Sequence, residues 1–277
     1  MLTTLFILVS LFASFIWVDY LRRIDVYERE HWLPLAFVFF GGACSVVLIH
    51  EINENFLNNL NFHVNGDLLN DYLYCFAIIG IPEEFVKYLP LLIVLLFFPR
   101  LITEPIDVII YSSASAVGFA CVENVMYMNS YGADVLISRS ILCIISHMMF
   151  ASIAAYGIVL FRYKKSQFKY ILPLFYFILA ALAHGFYDLW LLNDRMPFNF
   201  LFSLIFYMLL VSIYSTIINN CLNNSPEFSN KKAVNSTKIQ KRLALYYAIL
   251  VVMIIIVAQI EEPGEKHAIR MIYPLRF

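Results

Sequence analysis

The chain has 277 residues, of which 61% are hydrophobic, 17% aromatic and only 14% charged, and its formal net charge is −1. Soluble domains carry about 25% charged residues, so this composition excludes an ordinary water-soluble domain and points to a membrane protein. The near-zero charge, with no basic stretch interleaved with aromatics, argues against a nucleic-acid partner.

In chain order, eight apolar runs approach the roughly 20 residues that a spanning helix needs. They are Met1–Val18, Leu33–His50, Tyr72–Phe98, Ile106–Met128, Ser138–Phe161, Tyr170–Leu192, Phe198–Ile218 and Leu243–Ile260. Long uniform apolar runs do not alternate as barrel strands do, so the expected fold is all-α, a polytopic bundle of about eight transmembrane helices. The whole chain, 1–277, reads as one integral-membrane domain, with a four-helix core over 72–192 and two additional C-terminal helices over 198–260. No basic residue precedes the first run and no small-residue cleavage site follows it, which reads as a retained signal anchor. The third run is over-long, and Pro82 is expected to kink it.

Lysine and arginine set the orientation. Alternate connections hold 13 basic residues against 5, with Arg22, Arg23, Arg29, Arg162, Lys164, Lys165 and Lys169 among the larger set. The basic loops are therefore expected in the cytoplasm and both termini outside. Cys44, Cys75, Cys121 and Cys143 fall in apolar runs and read as small buried hydrophobes. Cys221 and the Asn-rich stretch Asn219–Ser236 read as a solvated loop. His31, His50, His63, His267 and Asp107 fall in polar segments or at helix ends and are assigned no chemistry.

Against this apolar background the ionisable residues inside the runs stand out, since each charge costs roughly 2.5–3.5 kcal/mol to insert. The third run contains Glu83, Glu84 and, one turn later, Lys87; the fourth has Phe119, Glu123 and Asn124; the fifth has His147; the sixth has His184 and Asp188. At about 1.5 Å per residue, Glu83, Glu123, His147 and His184 all lie about 21–25 Å above the expected cytoplasmic end of their helices. Four helices of alternating direction thus bring acids and imidazoles to one depth, in the outer half of the bilayer. Glu83 and Lys87, four residues apart, suit a helical ion pair. Glu84 is turned about 100° from Glu83, so one carboxylate faces the site while the other braces Lys87 or a neighbouring helix. His184 and Asp188 are also four apart, a spacing at which the carboxylate fixes the imidazole tautomer. GxSxG and HExxH are both absent, which leaves water activated by a carboxylate or by a metal held between Glu and His.

The order Glu83-Glu84-x-x-Lys87, Phe119-x-x-x-Glu123, His147, His184-x-x-x-Asp188 resembles the PrsW family of intramembrane proteases. The flanking stretches Asp25–Trp32, Glu104-Pro105-Ile106-Asp107 and Gly118–Asn124 fit the resemblance, although Glu30-His31-Trp32 stands where that family has Glu-Pro-Trp. It covers about residues 1–195. The family is similar to a wider superfamily that holds CAAX prenyl endopeptidases and a non-catalytic scaffold subunit of gamma-secretase. The resemblance implies regulated intramembrane proteolysis in signalling: cleavage of a single-pass membrane protein, typically an anti-sigma factor, near the extracytoplasmic face of a bacterial cytoplasmic membrane. Glu83, Glu84, Glu123, His147, His184 and Asp188 are the expected catalytic set, supported by Lys87, Phe119 and Asn124. The motifs leave both metal-free and metal-dependent hydrolysis open; in the metal-dependent variant Glu123, His147 and His184 become ligands, with zinc the expected ion. A non-catalytic scaffold and a proton-coupled transporter are the competing readings. The scarcity of ionisable residues in the inner half counts against the transporter.

Overall fold

The structure, a computed structural model, describes residues 1–60, 62–165, 167–193, 199–229 and 234–261. Phe198, His267 and six of the basic residues counted for orientation, Arg195, Lys231, Lys232, Lys266, Arg270 and Arg276, lie outside the described residues. The described part is a helical bundle without strands: α1 (Leu2–Ile24), α2 (Trp32–Asn55), α3 (Leu68–Tyr74), α4 (Ile81–Phe97), α5 (Pro105–Tyr131), α6 (Ile144–Tyr163), α7 (Leu172–Leu192), α8 (Asn199–Asn223) and α9 (Ser236–Glu261). Seven of its helical segments are long and apolar enough to cross a bilayer. The eighth run is divided. A π-helical turn, Cys75–Gly80, joins α3 to α4, with the Ile81 N–H bonded to the Phe76 carbonyl five residues back. Pro82 is therefore not the site of a simple kink. It sits in the first turn of α4, directly after the π turn, where a missing N–H is tolerated.

Helix α5 is the centre of the bundle. Every residue from Pro105 to Cys121 is buried, although the stretch is rich in serine, alanine and glycine. In lipid, helices associate through close packing and buried hydrogen bonds, which small residues permit. Gly118 lets α5 press against α2 so closely that a Cβ there would lie 1.9 Å from the Phe39 carbonyl oxygen, and Gly42 makes the reciprocal approach to Ser115. The serines are satisfied by neighbouring helices: Ser115 Oγ donates to the Lys87 carbonyl (2.7 Å), Ser112 Oγ to that of Ala151 (3.1 Å), and Ser10 Oγ on α1 to that of Cys121 (2.7 Å). Pro105 opens α5 behind a reciprocal cap between Glu104 and Asp107. At the other end Gly132, at φ +64°, stops the helix.

Two ends of the bundle follow from the contacts. Thr3 Oγ1 donates to Asn129 Oδ1 (2.8 Å), and Glu261 lies against Gly132, so the start of α1 and the end of α9 share the face of the α5–α6 connection. At the opposite face Asp19 binds Arg23 (2.8 Å) and Arg242 (2.9 Å). Helix α8 runs to Asn223, so Cys221 is a buried helical residue rather than part of a solvated loop. The polar asparagines at 219, 220, 223 and 224 disguised a last helical turn whose inner side still packs.

Candidate active site

Four helices deliver the polar residues to one place. Glu83, Glu84 and Lys87 come from the first two turns of α4, Glu123 from α5, His147 from α6, and His184 and Asp188 from α7. They surround a cavity of about 190 Å³, lined by Glu83, Glu123, Arg139, Cys143, His147, His184, Asp188, Tyr127 and Tyr187 among others.

The Lys87 ammonium lies at the hub. Its Nζ reaches Glu83 Oε2 at 2.9 Å, Glu84 Oε1 at 3.0 Å and His147 Nδ1 at 2.7 Å, and it sits 4.4 Å from the centre of the Phe119 ring. Both acids therefore bind the same lysine, where the sequence had divided them. They differ in access: the Glu83 side chain is 14% exposed and lines the cavity, whereas Glu84 is 1% exposed and does not.

The two imidazoles are each held from behind. Ammonium can only donate, so His147 accepts at Nδ1 and its Nε2–H donates to Glu123 Oε2, 2.9 Å away. An ionised carboxylate can only accept, so His184 Nδ1–H donates to Glu84 Oε1 at 2.9 Å. The lone pair on His184 Nε2 then faces the cavity, 3.4 Å from Asp188 Oδ2 and 3.8 Å from Glu83 Oε2. Glu84, not Asp188 as the spacing suggested, makes the short hydrogen bond that sets this ring. The two rings meet edge to face at 5.3 Å, and Phe150 stacks on His184 at 5.1 Å.

Two further residues enter that sequence reasoning passed over. Arg139 reaches Glu123 Oε2 (3.5 Å) and packs over the Tyr127 ring (3.2 Å), and Cys143 lies between them, 3.3 Å from the guanidinium and 3.9 Å from Glu123. Arg139, Cys143 and His147 recur every four residues, a one-face signal that was available in the sequence. Arg139 falls at the very edge of the fifth apolar run, and the π turn that begins the helix at Ser138 takes it inside. Asn124 stands apart from the acids, its Nδ2 donating to the Arg139 carbonyl at 2.7 Å.

The donor set suits a transition-metal ion. Glu83, His147 and His184 offer ligand atoms within 4.8 Å of one another, and so do Glu123, Cys143 and His147. Two imidazoles and a carboxylate form a familiar catalytic zinc set, and an imidazole anchored through its far nitrogen to a carboxylate, as His184 is to Glu84, is the usual support for such a ligand. Ligation through His147 Nε2 would displace the proton it now shares with Glu123.

A buried cavity that gathers carboxylates and oriented imidazoles inside a multi-pass bundle defines the class: an intramembrane hydrolytic enzyme. Residues 30–215 match the PrsW-protease family, described as PrsW family intramembrane metalloprotease, and the chain belongs to that family. Protease PrsW of Clostridioides difficile (strain 630) is 32% identical over 188 residues, covering 65% of this chain and 76% of that protein. Protease PrsW of Geobacillus kaustophilus (strain HTA426) is 31% identical over 184 residues, 63% of this chain and 74% of its own length. The corresponding protein of Shouchella clausii (strain KSM-K16) is 32% identical over 169 residues, 61% and 74% of the two chains. No solved structure matches significantly. The chain is thus a multi-pass bacterial membrane protein, and as an intramembrane protease it acts on a membrane-protein substrate within the bilayer.

Proposed function

We propose that this protease cleaves a single-pass membrane protein of the anti-sigma-factor kind, close to the extracytoplasmic face of the cytoplasmic membrane, and so serves signalling by regulated proteolysis. In this reading segment 72–192 is the catalytic core, helices over 198–260 are accessory, and both termini are extracytoplasmic. One observation carries the chemistry: both imidazoles turn Nε2 toward a cavity whose wall includes Glu83 and Glu123, while each is fixed at Nδ1 by a buried charged group.

Glu83 takes a proton from a water in the cavity as the oxygen attacks the scissile carbonyl carbon, and the carbonyl electrons move onto its oxygen. The Arg139 guanidinium stands on the cavity wall to meet that oxyanion. Collapse breaks the C–N bond, and the proton held by Glu83 passes to the leaving amine. Glu84 and Lys87 keep the imidazoles aligned, and Asp188 lies beside the open nitrogen of His184. With Glu83 as base, Glu123 and His147, which belong to one ligand group, would hold the metal together with His184 from the other. Zinc, when bound, supplies Lewis-acid polarisation of the carbonyl and a water of lowered pKa.

The test is membrane-protein N-terminal profiling of cells with wild-type or Glu83→Gln protein at matched abundance, with metal content measured on the purified proteins. New termini in or just outside single-pass segments, present only with wild type, are expected. Identical profiles under several envelope stresses, extended to Glu84→Gln, would instead mark a non-catalytic scaffold. Glu123→Gln should lose the metal while Glu83→Gln keeps it; loss from Glu83→Gln would make Glu83 a ligand and overturn its assignment as base.

A further inference from the structure

Away from the site, two cavities run together along α8. The first is a groove of about 670 Å³ between α6, α7 and α8, walled by Ile153, Leu179, Phe206, Leu209 and Ile213 among others. The second, of about 490 Å³, lies where α6 and α8 end and is lined by Tyr163, Lys164, Lys165 and Asn224 among others. They meet at Tyr156 and Asn220, which line both, and there Asn220 Nδ2 donates to the tyrosine hydroxyl at 3.2 Å.

The two halves ask for opposite chemistry. The groove is a hydrocarbon slot between spanning helices. The end pocket gathers two ammonium groups, amides and phenols at the face that holds the basic α6–α7 connection, and among the described residues no carboxylate is part of its lining. Two acids flank Pro105 in its wall, and both are engaged in the cap of α5: Asp107 Oδ2 accepts from the Thr103 and Glu104 N–H groups at 2.8 and 2.7 Å, and the Glu104 side chain accepts from the Asp107 N–H. Both volumes lie in the range of pockets that hold small organic ligands. A helix about 10 Å across would fit only about two turns into the groove, whereas an acyl chain is narrower. Basic pockets between spanning helices at a membrane face are suited to anionic lipid headgroups.

We propose that the joined cavities are a binding site for one anionic phospholipid, its acyl chain between α7 and α8 and its phosphate at Lys164 and Lys165. The groove wall also touches the machinery beyond it: the Phe206 ring lies 6.5 Å from that of Phe150, which stacks on His184.

Native mass spectrometry of the purified full chain, titrated with phosphatidylglycerol or phosphatidylcholine of identical chains, tests the site. Two lysines at a membrane surface should favour the anionic lipid by roughly 30-fold. The exposed double variant Lys164→Gln/Lys165→Gln should lose that preference while still retaining lipid, and Ile213→Trp, which fills the groove, should lose retention of both lipids. Thermal midpoints of the variants near the wild-type value exclude unfolding as the cause. Equal affinity for the two lipids in wild type, or a preference that survives the lysine changes, would overturn the proposal. Glycerol phosphate competing as well as the intact lipid would make the pocket a soluble-anion site, and a transmembrane peptide that binds wild type but not Ile213→Trp, with no lipid retained by wild type, would make the groove a helix-docking surface; either result also refutes it.

Discussion

Replacing the two neighbouring glutamates separately should give two different failures. Glu83→Gln is isosteric, and its amide oxygen can still accept from Lys87, now 2.9 Å from the carboxylate. The fold should therefore persist, while loss of the proton acceptor lowers kcat/KM by about 10²–10⁴, or about 3–5 kcal/mol in the barrier. Glu84→Gln acts differently. Its Oε1 serves Lys87 at 3.0 Å and His184 at 2.9 Å from a position 1% exposed. Breaking a buried ion pair by removing one partner typically costs 3–5 kcal/mol, and Glu83 remains as a second counter-charge, so about 2–3 kcal/mol is expected here. An amide in that place can still accept from His184 but no longer holds it as firmly, and second-sphere losses of this kind run about 10–100-fold in activity. Both proteins would be reconstituted into proteoliposomes with a fluorogenic transmembrane peptide, and thermal midpoints read in parallel. A stable, inactive Glu84→Gln beside an active Glu83→Gln would refute the assignment of Glu83 to the cavity and Glu84 to its support.

Two further outcomes are expected. Gly118→Ala would place a Cβ 1.9 Å from the Phe39 carbonyl oxygen, against ordinary contact near 3.4 Å, and overpacking of this kind costs about 1–3 kcal/mol; since Phe119 and Glu123 follow on the same helix, both thermal midpoint and proteolysis should fall, and an unchanged midpoint would deny the close α2–α5 contact. At the far end of α5, Tyr111 Oη donates to Glu30 Oε2 at 2.5 Å, and burial pushes the Glu30 carboxyl up to about 8 and its neighbour Asp25 up to about 6. A carboxyl raised in the folded state stabilises it fully below its ordinary value, and that contribution is lost as pH rises toward about 8. Wild type should therefore lose thermal stability between about pH 5 and pH 8, and Glu30→Gln, which can still accept from Tyr111, should lose less; equal slopes would contradict the buried protonated acid.

The sequence by itself determined the helical membrane class, because about 20-residue apolar runs leave the backbone no other way to satisfy its hydrogen bonds in lipid. It also singled out Glu83, Glu84, Lys87, Glu123, His147, His184 and Asp188, because ionisable groups are too costly in such runs to be incidental. Helical rise alone put them at one depth. What helical rise cannot supply is rotation about each axis once the helix is irregular. The π turns at Cys75–Gly80 and Ser138–Cys143 each add a residue to a turn, so the facing of Glu83 escaped a regular period, whereas the four-residue spacing of Arg139, Cys143 and His147 survived. Partner choice across helices was equally invisible: that Glu84 rather than Asp188 holds His184, and that one lysine serves both acids, depends on which helices lie side by side. Small residues decide that: Gly80 and Gly185 let the turn before α4 and α7 approach until backbone meets backbone, and Ser115 of α5 binds the Lys87 carbonyl. Sequence fixes which groups must be hidden from lipid; only the packed bundle decides which of them touch.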